Sequence, residues 1–311
     1  MHRIPPKRAR GLTLIELVVV MVITAIIVAS TVYFFNPVRQ SVDLVGRAEL
    51  TDIADNALQR MGRDVRLALP NSVRVDGTKQ YLEFLPIRTA GRYRAAGGGG
   101  ASGVSCPDNG PGAPASDQLS FTSIVDSCFK TIGAVADAAS VTTRDFLAFN
   151  NYGPTFTGQD AYVLTASSNT RQIAAFAADS TRFRIDFTAT AFPLFQSIHD
   201  SPGKRFFIVS GRAAGAAQPE PVSYVCAPSP AGGTLTRRWG YDVQATQPTA
   251  FATGTSAVIA SNVTACNFDY ALNVAPMIGL LTIRLTIAKA LSGGAVETVT
   301  LYHAVHVNNV P

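Results

Sequence analysis

Hydrophobic and polar positions divide the chain into three regimes. Residues 17–35 hold no charged side chain, and only Thr24, Ser30 and Thr31 interrupt the apolar run. A helix of this length is about 28 Å long, enough to cross a hydrocarbon core. No second run of that length follows. The remainder is therefore expected on one side of the membrane.

From Val38 onward, apolar residues return at helical spacing. Val38, Val42, Val45, Leu50, Ile53, Ala57, Met61, Val65 and Leu69 form one stripe predicted to face a core. The opposite face carries Asp43, Arg47, Asp52, Asp55, Gln59, Arg60, Arg63 and Asp64. It reads as solvated, with i,i+4 pairs Asp43–Arg47 and Arg60–Asp64. Pro37 removes one backbone hydrogen bond and predicts a kink rather than an end, whereas Pro70-Asn71 stops the run. A continuous helix over 12–69 would be about 87 Å long, which suits a protein half in a membrane or fibre.

Beyond Ser72 the period shortens. Residues 81–85, 182–187 and 205–209 read as strands, and 278–288 with 296–307, separated by Ser292-Gly293-Gly294, as a β-hairpin. Gly97 to Gly100 and the Gly/Pro/Ala/Ser-rich stretch to Ser116 predict a loop tied down by Cys106. The expected fold class is α+β: a long N-terminal membrane helix packed on an antiparallel, β-rich head of one or two sheets.

Charge changes the picture only at the front. The formal net charge is +5, and Arg3, Lys7, Arg8 and Arg10 all precede the apolar run; without these four the remainder carries +1. Such a remainder has no electrostatic footprint for nucleic acid, which is not favoured as a partner. Basic residues ahead of a first apolar segment instead fix its N-terminus in the cytoplasm, placing the head in the periplasm. Cys106, Cys128, Cys226 and Cys266 all lie beyond the span, and an even count in an oxidising compartment favours disulfides over free thiols. Four cysteines allow three connectivities, of which proximity along the chain favours Cys106–Cys128 with Cys226–Cys266.

Gly11-Leu12-Thr13-Leu14-Ile15-Glu16 joins the basic leader directly to the apolar run, with no small-residue cleavage site after it, unlike an ordinary secretory signal. The segment resembles the prepilin cleavage and methylation motif of type IV pilins and type II secretion pseudopilins. The resemblance implies cutting after Gly11 by a prepilin peptidase and N-methylation of the new N-terminus, Leu12, which stands where the family usually has Phe. A carboxylate at the edge of a membrane helix is costly and marks function. For Glu16 the resemblance implies a partner, the terminal amine of a neighbouring subunit, so that the pair sets axial register in a fibre; an unpartnered glutamate at headgroup level is the alternative.

The stretch from Arg47 to Asp52, then residues 58–61 and 63–66 running into 68–75, also looks like the MshO minor pilins of mannose-sensitive haemagglutinin pili, which resemble PilW and GspJ subunits. The resemblance implies a type IV pilin-like fold divided into a cleaved leader (1–11), a transmembrane and fibre-core helix (12–36), an amphipathic second half (37–71) and a periplasmic head (72–311). It implies a non-catalytic minor subunit, held in the inner membrane and then moved to the fibre or its tip, with prepilin peptidase and other minor and major pilins as partners. A GspJ-like minor pseudopilin is one alternative, and a tip adhesin or DNA-uptake module another.

No nucleophile elbow, phosphate loop, zinc helix or calcium loop occurs in the sequence, and no catalytic residue, metal ligand or cofactor is predicted. His303 and His306 lie three apart in a strand-like run and point to opposite faces. His199-Asp200 near Ser201 reads as a turn. Trp239 beside Arg237, Arg238 and Tyr241 reads as a half-buried strand with snorkelling arginines, with an exposed basic-aromatic patch as the alternative.

Overall fold

The computed structural model describes residues 13–94, 106, 117–119, 121, 127–154, 156, 158–165, 168–179, 181–187, 201, 203–275, 277–290, 294 and 296–311. Helix α1, Leu14–Arg66, has 53 residues and continues through Pro37. Thr13 caps it in an extended conformation, its hydroxyl accepting from the Glu16 amide. The window Leu14–Thr31 has a mean hydropathy of 2.6 and none of it is buried by the head. Its hydroxyl side chains are satisfied within the helix, Thr24 donating to the Val20 carbonyl, Ser30 to Ile26 and Thr31 to Ile27. That local bonding lets hydroxyls sit in an apolar surround.

The helix ends at Arg66, three residues short of the expected Leu69. A competing pairing takes over: the Leu69 amide donates to the Leu85 carbonyl at 2.7 Å and the Ile87 amide to the Leu67 carbonyl at 2.7 Å, with Ala68 bridged to Pro86. Backbone groups that would extend the helix are thereby spent on the sheet side.

Thirteen strands follow among the described residues: β1 Arg74–Val75, β2 Tyr81–Phe84, β3 Ile87–Arg92, β4 Cys128–Lys130, β5 Phe146–Ala148, β6 Thr170–Asp179, β7 Arg182–Phe187, β8 Arg205–Val209, β9 Val222–Ala227, β10 Gly233–Trp239, β11 Thr255–Ala275, β12 Ile278–Ala290 and β13 Val296–Asn308. They form two sheets, one ordered β1-β2-β9-β10-β11-β12-β13 and the other β3-β8-β5-β6-β7-β4, every pairing antiparallel. The six strands β3 to β8 are thus inserted in sequence between two neighbours of the larger sheet. The hairpin β12–β13 pairs from Ile278 opposite Asn308 to Ala290 opposite Val296.

The C-terminal half of α1 lies on β11–β13. Leu50, Ala54, Ala57, Leu58, Met61 and Val65 interdigitate with Leu281, Ile283, Leu285 and Ile287, the alternate residues of β12, and with Val299, Val305 and Val307 of β13. Among the described side chains the buried stripe begins at Leu50 and Val45 is exposed, while Val38 and Val42 lie outside them. Ion pairs mark that near rim, Glu49 with Lys289 at 2.8 Å and Arg47 with Glu297 at 3.4 Å. Asp64 is not on a solvated face paired with Arg60: its Oδ2 accepts from Arg237 Nε and from the Tyr224 hydroxyl, both at 2.8 Å. It pins the helix to β9 and β10. Leu69 leaves the stripe for a separate core with Leu85, Tyr162, Phe207 and Val209, where the end of the helical segment meets the second sheet.

Gly62 sets how closely the helix approaches. A Cβ there would lie 2.6 Å from His303 Nε2 and 3.4 Å from Val305 Cγ2. Gly62→Val should therefore destabilise the head by about 1–3 kcal/mol through overpacking, despite removing a helical glycine. Denaturant unfolding of the full chain in detergent measures it, and an unchanged midpoint would show that the seam tolerates a wider gap.

Candidate functional site

Two regions carry the functional argument, the amino-terminal segment and the pole of the head beyond the helix end. Glu16 sits in the first turn of α1, its amide bonded to the Thr13 carbonyl at 3.1 Å. Its carboxylate therefore lies where unpaired helix amides favour negative charge. Gly11 and Leu12 lie outside the described residues. From Leu14 to Val28 the large apolar side chains are uncovered, at 47–83% exposure. A free surface of this length is a binding surface for lipid or for other helices.

The cysteines join as Cys106–Cys128 and Cys226–Cys266, with Cα–Cα distances of 5.6 and 6.5 Å. The first ties a loop to the start of β4 and the second ties β9 to β11. By loop-closure entropy each is worth about 3–4 kcal/mol.

Trp239 is half-buried against the helix-facing core, with the Arg237 guanidinium 5.3 Å from its ring centroid while Arg237 also holds Asp64. The arginine is thus part of the seam. His303 faces Gly62 whereas His306 is exposed on the other face of β13, so the two do not converge. His199-Asp200 lies outside the described residues. Among the described residues no three His, Cys, Asp or Glu side chains group to hold a metal.

At the far pole, a cavity of about 580 Å³ opens where the segment 71–75 leaves the helix; its walls include Tyr152, Phe156, Asp160, Tyr162, Tyr270 and Leu272. Arg74 closes one side, its guanidinium carbon 3.6 Å from the Tyr162 ring centroid. Its nitrogens are engaged, Nε with Glu83 at 2.6 Å, Nη1 with the Ala245 carbonyl at 2.6 Å and Nη2 with the Gln244 carbonyl at 2.8 Å. Burial raises the Asp160 carboxyl, against the opposing Tyr162 amide and Arg74 charge, and pushes the Tyr162 hydroxyl well above its ordinary range. Aromatic walls with one carboxylate can seat an apolar or hydroxyl-bearing group, and among the described residues no nucleophile paired with a base lines the cavity. Sequence reading missed this pole because residues 74, 160 and 270 belong to three distant segments; the density of aromatics over residues 149–162 was the one local signal.

The family model described as the prokaryotic N-terminal methylation motif matches residues 6–32, covering the end of the leader with Gly11, then Leu12, Glu16 and most of the apolar run. No curated protein and no solved structure matches the chain. Motif, apolar helix and antiparallel head together make an α+β type IV pilin-like fold, whose motif implies processing by a prepilin peptidase, membrane anchoring and assembly with other pilins.

Proposed function

We propose that the chain is a minor pilin, MshO-like, that primes or caps a type IV pilus of the mannose-sensitive haemagglutinin type and does no chemistry. The observation that carries this reading is the uncovered apolar half of α1 directly behind a prepilin motif, joined to a large two-sheet head. A helix that its own head leaves bare is completed by a membrane first and by neighbouring helices in a fibre later. In this reading the leader 1–11 is removed, 12–36 forms the fibre core, 37–71 joins core to head, and 72–311 stays periplasmic until assembly. Pro37 supplies a bend between the two helical halves.

A head much larger than its packing on α1 requires suits a subunit at or near a tip. The cavity beyond the end of α1 favours, as a second reading, a head that contacts a ligand there. A GspJ-like pseudopilin shares the same N-terminal machinery and differs in the apparatus it serves.

Mass spectrometry of the mature N-terminus, on protein co-expressed with a prepilin peptidase and on a peptidase-free control, tests the assignment. The expected product begins at methylated Leu12 and is absent from the control. An intact leader in both samples, or a cut after the apolar run, would overturn it. Sheared fibres from cells lacking pilus or secretion components then separate pilin from pseudopilin.

A further inference from the structure

Lys130, the last residue of β4, is wholly buried between two carboxylates. Its Nζ lies 2.9 Å from Asp179 Oδ2, at the end of β6, and 3.3 Å from Asp117 Oδ1; the two aspartates are 8% and 5% exposed. The Lys130 amide also bonds the Asp117 carbonyl at 3.1 Å, so the backbone presets that neighbour. Arg94 approaches Asp117 from its other side at 3.9 Å. Although it sits at ion-pair distance from both, the ammonium makes no hydrogen bond to either carboxylate, and Asp117 Oδ1 accepts none. A charge buried in this way is costly, and the usual compensation, a full set of hydrogen bonds, is missing.

We propose that Lys130 and Asp179 condense to an intramolecular amide, with Asp117 as the proton carrier. In the dry site the ammonium passes one proton to Asp179, leaving a neutral amine beside a carboxylic acid. The Nζ lone pair attacks Asp179 Cγ and the Nζ–Cγ bond forms. Asp117 moves a second proton from nitrogen to the departing hydroxyl, the Cγ–O bond breaks and one water leaves. No oxidant or reductant is required. The product exchanges two buried charges for one neutral amide and returns Asp117 as a carboxylate facing Arg94. Proximity and exclusion of water supply what such a condensation lacks in bulk solution. The cross-link would close the chain between β4 and β6 in the second sheet, complementing the Cys106–Cys128 bridge at the start of the same strand.

The test is a peptide map of the full chain, extracted in detergent, reduced and alkylated before digestion so that disulfides do not join the same peptides. Expected is a branched peptide linking Lys130 to Asp179, one water lighter than its two parts, with tryptic cleavage after Lys130 lost. Lys130→Arg should abolish the branched species. Asp179→Asn should still yield it, now by loss of ammonia, and Asp117→Asn should leave most of the chain unlinked. A wild-type map with the Lys130 peptide cleaved and at full mass would overturn the proposal without recourse to any variant. A link from Lys130 to Asp117 would overturn the assigned roles.

Discussion

Glu16→Ala is expected to leave the leader cleaved and the chain inserted in the membrane while abolishing its entry into fibres. Processing acts on the peptide bond after Gly11, and insertion depends on the apolar run and the basic leader; neither needs the carboxylate. In an assembled fibre, however, the first turn of α1 is surrounded by apolar helices, and an ionised group there persists only with a partner. The terminal amine of a neighbouring Leu12 is of the right charge, and Glu16 stands in the first turn of α1, four residues after Leu12. Removing one member of a buried pair costs about 3–5 kcal/mol. That corresponds to a fall in fibre-associated protein of about 10²- to 5 × 10³-fold at equal membrane abundance. Immunoblots of sheared fibres against membrane fractions read this ratio directly. Incorporation at the wild-type level would remove Glu16 from any role in assembly.

The apolar N-terminal helix of this protein was legible because its signals are local. A charge-free run, a basic leader and a carboxylate five residues after Gly11 each declare themselves within a few positions. Strand β7 and the β12–β13 hairpin were legible from alternation, and β8, buried on both faces, from its short unbroken apolar run. Long-range pairing hid the rest. Asp64 read as the i,i+4 partner of Arg60, but the Arg237 guanidinium comes from a strand 173 residues away and brings the Tyr224 hydroxyl with it. Leu69 read as the last residue of the apolar stripe, yet residues 67–69 are captured by 85–87, a contact between extended segments that helical periodicity does not encode. The division into two sheets was hidden because β2 and β9, neighbours in space, are separated in sequence by the whole second sheet. The aromatic cavity and the Lys130 cluster assemble from segments with no common pattern, so no window of the sequence contains either.

Arg74→Ala should cause the largest loss of head stability among single changes at the helix end, and the loss should depend on pH. Glu83 is fully buried, its Oε2 held by Arg74 Nε at 2.6 Å and its Oε1 accepting from the Tyr241 hydroxyl at 2.8 Å. Burial raises its carboxyl above the ordinary value of 4.5, while the Arg74 charge and the two hydrogen bonds oppose that rise without cancelling it. Because the folded value lies above the unfolded one, the stabilising contribution of protonated Glu83 is complete below about pH 4.5 and is lost as pH rises through the folded value. When it is ionised, Glu83 is a buried anion whose main compensation is one guanidinium. Without Arg74 that anion is uncompensated, a cost of about 3–5 kcal/mol. The folded value then moves further up, so the deficit should shrink as pH falls from 7.5 to 5, leaving the pH-independent part due to the lost Ala245 and Gln244 carbonyl contacts. Glu83→Gln in the Arg74→Ala background should recover most of the pH-dependent part, because a neutral amide keeps the Tyr241 contact without the charge. Urea unfolding of the full chain in detergent at the two pH values measures both components. An Arg74→Ala deficit equal at pH 7.5 and pH 5, or unrelieved by Glu83→Gln, would locate the role of Arg74 in its carbonyl contacts and Tyr162 stacking instead of in neutralising Glu83.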